Sequence, residues 1–271
     1  MRRLAGLLFG AATQIFFLLT VRFLWAFLAG HEPRVTPGSE WTNAALALQF
    51  AVPHSLLLHP ATRKRLSRWI AAPFYGCVFC VVTCLSLFVM FACWHESDLV
   101  IVRCEGMIAT IVRGMWIASW LALFYSLWLT GLGYQTGLTP WWDWVLRRPA
   151  RRREFVPRGA YRLLRHPVYL SFLGLVWFTP TITQDRLTLI AVWTPYIFLG
   201  SWLKDRRLEH FLGASYREYM TKVAGYPGCL FGPLGRVLSP RGEEDGLAIL
   251  PLTQTPRSVP VESDSFHGKA A

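Results

Sequence analysis

GAYRLLRHPVYLSFLGLVWFTPTITQDRLTLIAVWTPYIFLGSWLKDRRLEHFLGASYREY, residues 159–219, consists of two apolar blocks with polar groups at their ends. The blocks, 168–178 and 187–203, are separated by Thr179-Pro180-Thr181 and Gln184-Asp185, which turn the chain. That order predicts two short apolar helices folded into a hairpin. Tyr161, Arg162, Arg165, His166 and Tyr169 lie at the mouth of the first block. A charged, tyrosine-rich cluster from Asp205 to Tyr219 follows the second. Folding the hairpin brings both polar groups to one face of a membrane. Pro167 stands where the first helix begins, and a first-turn N–H is unpaired there in any case.

The rest of the chain reads the same way. Of 271 residues 53% are hydrophobic and 16% charged, against roughly 25% charged in soluble domains. The apolar residues come in runs close to the roughly 20 residues that span a bilayer. The first run follows Met1-Arg2-Arg3 and continues to about Leu28, too long for the roughly 7–15 apolar residues of a signal peptide. It is read as a retained spanning helix. A polar loop with Pro33, Pro37 and Gly38 follows, then segments at 41–58, 73–94 and 109–132. With the hairpin these give the expected fold: an all-α, multi-pass integral membrane bundle of about six segments, ending in a short helical hairpin with a cytoplasmic cofactor pocket. Residues 1–132 would form the N-terminal membrane helices and 133–238 the functional core. The tail, 239–271, is rich in Pro, Gly, Ser and acidic residues and is expected to be disordered.

The net charge of +12 is not spread over a soluble face. It sits in alternate loops: the amino terminus, Arg63 to Arg68, the arginine-rich run from Arg147 to Arg165, and the segment after Leu203. The intervening loops are neutral or acidic. The positive-inside tendency accounts for this with both termini cytoplasmic, and nucleic acid is not an expected partner. Membrane lipids are.

Cys77, Cys80 and Cys84 lie on roughly one helical face with no histidine or carboxylate in their run, so packing explains them and no metal site is expected. His54 and His59 lack the i, i+4 spacing of a helical zinc pair.

The remaining signal is a pair of motifs. R-H-P-V-Y at 165–169 is followed, one hairpin later, by F-L-G-A-S-Y-R-E-Y at 211–219. Tyr216 and Tyr219, three apart, share one side of a helix. This order resembles the isoprenylcysteine carboxyl methyltransferase and phospholipid methyltransferase superfamily of membrane enzymes. It looks most like the methanethiol S-methyltransferase branch, which includes NnrU-like proteins. W-F-T-P-T-I-T at 177–183 and P-H-S at 53–55 add to the likeness. The resemblance implies methyl transfer from S-adenosylmethionine to a small or lipid-soluble thiol such as methanethiol, giving a thioether. By carry-over, His166 and Tyr169 would line the cofactor site with Arg165 nearby, Tyr161 and Arg162 would shape its entrance, and Asp205, Tyr216 and Tyr219 would complete it. No catalytic residue is assigned. Lys204 stands where such families have the first acid of a pair, Ser171 replaces a common glycine, and Ala160 replaces a frequent proline.

On physical grounds Arg165 or His166 would pair with the donor's carboxylate, Asp205 would accept from its ammonium, and tyrosine faces would stabilise cationic groups. Other readings stay open: methylation of an isoprenylcysteine carboxylate or a phospholipid amine, an NADPH-dependent membrane reductase, or a non-catalytic protein whose basic loops bind anionic lipid.

Overall fold

The computed structural model describes residues 2–30, 38–149 and 155–238. The tail expected to be disordered, Pro33 and Pro37 of the first loop, and Arg151 to Arg153 lie outside these described residues. The helices, in chain order, are α1 (Arg2–Ala29), α2 (Glu40–Leu58), α3 (Pro60–Leu66), α4 (Tyr75–Cys93), α5 (Gly106–Thr130), α6 (Leu132–Gln135), α7 (Leu138–Val145), α8 (Pro167–Trp177), α9 (Gln184–Leu212) and α10 (Ala214–Lys222). Their starts follow local chemistry. Ser39 Oγ accepts the Thr42 N–H at 3.4 Å to cap α2, with Glu40 complementing the helix dipole in the first turn. His59 Nδ1 caps α3 through the Ala61 N–H at 3.3 Å, with Pro60 at the tolerated first position.

Among the described residues, α1, α4, α5 and α9 are long and apolar enough to cross a membrane. Leu8, Ile15 and Leu18 on α1, and Ile111 and Leu121 on α5, point outward. Leu28, Met90, Trp120, Leu175, Leu189 and Trp193 close the interior. Rows of large outward-facing apolar side chains suit lipid and not water. Trp41, Trp69 and Trp128 are exposed near helix ends, where indoles favour the bilayer interface. Among the described residues this is an all-α membrane protein apart from one small ribbon. The four spans coincide with four of the six expected segments; α2 and α8 are not among them. With 11 residues, α8 is only about 16 Å long against a hydrocarbon core of about 30 Å.

The bundle has two chemically distinct ends. At one, β1 (Val100–Arg103) pairs antiparallel with β2 (Thr181–Thr183). There Asp185 accepts from Trp94 Nε1 at 3.0 Å and from the Ser97 N–H at 3.3 Å, and Asn43 exchanges hydrogen bonds of 2.8 and 3.0 Å with the His95 backbone. At the other end Arg63 sits 5.3 Å over the Tyr75 ring, and Arg207 Nη1 donates to the Leu58 carbonyl at 3.3 Å. The amino-terminal part of α1 is held there too, through Trp141 Nε1 donating to the Gly6 carbonyl at 3.0 Å.

α8 is set against α5 by close approach. A Cβ on Gly174 would fall 2.2 Å from Ser119 Oγ, whose hydroxyl is turned back onto the Met115 carbonyl at 2.8 Å. Small residues at such crossings let helices pack where no hydrophobic force drives them together. α9 differs from expectation in length. The apolar block ends near Leu203, yet the helix continues to Leu212, so Lys204, Asp205 and Arg207 stand on its last turns instead of in a loop.

Candidate functional site

Three local decisions bring the two motifs together at the basic end. The Arg165 N–H donates to the Ala224 carbonyl at 2.9 Å, fixing the chain just before Pro167 opens α8. Gly213, with φ of 59°, ends α9 and redirects the chain into α10. On α10 the three-residue spacing buries Tyr216 and Tyr219 on one face.

Asp205 is the centre. Its Oδ2 accepts from Arg165 Nε at 3.1 Å, Arg165 Nη2 at 3.0 Å and His166 Nε2 at 3.0 Å, and its Oδ1 accepts from the Tyr216 hydroxyl at 2.6 Å. Arg165 is fully used. Nη1 is directed at the carbonyls of Met220 (3.2 Å), Val223 (2.9 Å) and Gly235 (2.7 Å), and Nη2 also reaches the Pro233 carbonyl at 3.1 Å. The guanidinium has five N–H donors, and protein acceptors meet all of them. Its side chain is 0% exposed, and that of Asp205 6%. Gly225 allows this closure: a Cβ there would lie 2.4 Å from the Leu234 carbonyl oxygen and 3.0 Å from His166 Cδ2.

The same contacts set the protonation states. Burial pushes the His166 pKa below its usual value, with the Asp205 hydrogen bond and charge acting against that. A neutral His166 donating from Nε2 to Asp205 leaves Nδ1 as a buried acceptor with no partner among the described residues. Burial, then the Asp205 charge, push the Tyr216 phenol up, so it stays a donor. Burial pushes Tyr161 up to about 12.

The other candidates lie around this core. The Tyr219 hydroxyl donates to the Tyr161 carbonyl, and the Tyr169 hydroxyl to the Gly200 carbonyl at 3.2 Å. Arg162 is exposed at the rim, its Nε 3.4 Å from the Pro157 carbonyl. Lys204 donates to the Arg165 carbonyl at 3.2 Å, with its ammonium 5.3 Å from the Tyr161 ring centre and 5.7 Å from that of Tyr169.

A seam runs inward from Lys204. Trp193, Tyr196, Gly200, Lys204 and Arg207 recur at helical spacing on one face of α9. That face meets α8 through Tyr169 and α2 through a 3.1 Å contact of Tyr196 with the Ser55 hydroxyl. Deeper, Phe50 packs on His54 (5.4 Å between ring centres) and on Trp193 (5.5 Å). Gln49 Oε1, His54 Nδ1 and Trp193 Nε1 are buried without partners among the described residues. On another face of α9, Phe198, Leu199 and Trp202 with Cys229, Phe231, Pro233 and Leu234 line an apolar groove of about 540 Å³.

The structure thus brings Arg165, His166, Asp205 and Tyr216 into direct contact, gathers Tyr161, Tyr169 and Tyr219 beside them, and leaves Arg162 at the rim. The sequence did not reveal the carbonyls of Met220, Val223, Pro233 and Gly235, because backbone acceptors leave no side-chain pattern. It also did not reveal Arg207, which reads there as one more interfacial arginine, or the seam below it. The P-H-S at 53–55 was the one available signal for that seam.

No protein-family model matches the chain, and no solved structure matches it. Curated proteins do. A methanethiol S-methyltransferase of a Pseudomonas species is 28% identical over 235 residues, covering 82% of this chain and 89% of that protein. That of Pseudomonas deceptionensis is 29% identical over 200 residues, covering 69% and 74%. Rat nurim is 27% identical over 202 residues, covering 71% and 76%. The likeness first read from residues 159–219 therefore extends along most of the chain, and methanethiol S-methyltransferases are among the proteins that share it.

Proposed function

We propose that this protein is an integral membrane methyltransferase that uses S-adenosylmethionine to methylate a small thiol such as methanethiol. The observation that carries the reading is the closure of two sequence-distant motifs around Asp205, at the basic end of the bundle and beside a seam leading into the apolar interior. The similarity to methanethiol S-methyltransferases over about four-fifths of the chain supports it. In this reading six segments cross or enter a bacterial cytoplasmic membrane, α2 and α8 included. The basic end and both termini are cytoplasmic, residues 133–238 form the methyltransferase core, and 239–271 is a disordered appendage.

The donor would supply an electrophilic methyl on a sulfonium. The residues present fit its other groups: cationic side chains for a carboxylate at Lys204 and Arg207, and phenol faces at Tyr161 and Tyr169 for cationic atoms. His166 Nδ1 adds a buried acceptor with no protein partner. Arg165, Asp205 and Tyr216 would hold these walls in place and, being satisfied within the chain, would not themselves grip the donor. Tyr219 would fix the Tyr161 backbone, with Arg162 at the entrance. Methyl transfer to sulfur needs in-line alignment, and orienting two reactants in one site accounts for much of such an acceleration. The thiol loses its proton to the aqueous phase and reacts as the thiolate; its sulfur forms the new C–S bond as the methyl's bond to the donor sulfur breaks, and that bond's electron pair stays on the departing sulfur. Apolar α8 and α9 would exclude water from that step.

The test is a purified sample in nanodiscs given S-adenosylmethionine and methanethiol. The reading predicts saturable donor binding and formation of dimethyl sulfide. Binding of NADPH with no binding of the methyl donor would establish the reductase instead.

A further inference from the structure

We infer that Lys204, supported by Arg207, is the docking point for the carboxylate of the methyl donor, an inference that rests on the methyltransferase reading above. Lys204 feels Asp205, Arg207 and Arg165, and Arg207 in turn feels Arg63. Within the innermost set, Arg165, Lys204 and Arg207 bring three positive charges against the single negative charge of Asp205. That carboxylate is already spent: Arg165 and His166 share one oxygen and Tyr216 holds the other. Lys204 and Asp205 are also neighbours in sequence and point about 100° apart around the helix, Asp205 inward to Arg165 and Lys204 towards the seam. Among the described residues, no carboxylate lies within 4.0 Å of Lys204 or of Arg207.

The ammonium is held in place without being satisfied. Of its three N–H donors, one reaches the Arg165 carbonyl at 3.2 Å. The Tyr161 and Tyr169 rings, at 5.3 and 5.7 Å, offer faces to the cation but accept no conventional hydrogen bond there. Among the described residues no other acceptor meets this half-buried, pre-positioned cation, and two donors remain for a ligand. Arg207 contributes in the same way: among the described residues its Nη1 reaches only the Leu58 carbonyl, at 3.3 Å, and it lies one helical turn further along the same face of α9. A half-buried cluster with this surplus of positive charge favours an anionic oxygen group. The donor offers one as its carboxylate, and a lipid headgroup offers one as its phosphate. The Tyr161 and Tyr169 rings beside the ammonium suit the donor's cationic portion, and this favours the carboxylate.

The experiment compares calorimetric binding of S-adenosylmethionine and its decarboxylated analogue, which keeps the sulfonium and the amine. The protein is the full chain in phosphatidylcholine nanodiscs, as wild type, Lys204→Gln, Lys204→Arg, and Lys222→Gln as an exposed control. Wild type, Lys204→Arg and Lys222→Gln should prefer the carboxylated compound by about 10- to 100-fold, as one charge-assisted contact warrants. Lys204→Gln should lose that preference while binding the decarboxylated compound as wild type does. Equal weakening of both compounds by Lys204→Gln, or no preference in wild type, overturns the inference and leaves the methyltransferase reading standing. Binding of neither compound by wild type overturns both. Phosphatidylglycerol added to the nanodiscs should leave donor affinity unchanged; loss of affinity that Lys204→Gln abolishes would assign the site to lipid phosphate and overturn the inference.

Discussion

Arg165 and Asp205 lie 40 positions apart, and their contact is held by further bonds to His166, Tyr216 and four backbone carbonyls. Taking two charges out of water is costly, and that cost is recovered only where every remaining donor and acceptor is met. Here the Arg165 donors tie the start of α8, the end of α9, α10 and the segment up to Gly235 into one unit. Arg165→Ala would leave Asp205 buried beside His166 and Tyr216 without its cation, and should destabilise the fold by about 3–5 kcal/mol. Arg165→Lys should not restore it, because an ammonium cannot reproduce the planar fork. Thermal unfolding in detergent measures both, and near-wild-type stability for Arg165→Ala would remove the keystone role. His166 makes a separate prediction. Its folded pKa lies below the usual 6.5, so on acidification the unfolded chain takes up the proton first. Stability should be flat above that value, fall as pH drops from 6.5 towards the folded pKa, and fall less in His166→Gln. The residue types at 165, 166 and 205 were visible in the sequence, but their mutual satisfaction was not. An arginine bonded to four carbonyls and a carboxylate looks, in sequence, the same as one waiting for a ligand.

At the scale of elements, the apolar runs were legible because a membrane helix must be both long and greasy. The expected 73–94 and 109–132 appear as α4 and α5 with ends shifted by one to three residues. Less legible were α9, whose last turns are charged, and the β1–β2 ribbon, whose strands have four and three residues and no pattern to read. Helix α8 depends on its neighbours more than on its own length. Gly174→Leu would drive a side chain into Ser119 and separate α8 from α5, moving His166 and Tyr169 with it. The expected result is a loss of about 1–3 kcal/mol from overpacking, together with weakened donor binding. Unchanged donor binding in a destabilised Gly174→Leu would mean that α8 does not position the site.

For the whole molecule, the methyltransferase reading requires the basic end of the bundle to be in the cytoplasm. Cysteine accessibility in intact cells checks this with two reporters in a chain cleared of its own cysteines. Ser67→Cys in the basic loop should resist an impermeant maleimide, and Ser97→Cys at the ribbon end should react. The reverse labelling would invert the topology and put the polar cluster on the wrong side for a cytosolic donor. The central claim is that the Asp205-centred end of the bundle is a methyl-donor site serving a thiol that arrives through the membrane. Its most direct test is a single-turnover reaction in nanodiscs with donor labelled at the methyl carbon and excess methanethiol. Label should appear in dimethyl sulfide in proportion to enzyme. Label that stays entirely in the donor with the wild-type protein, folded and saturated with both reactants, would contradict it.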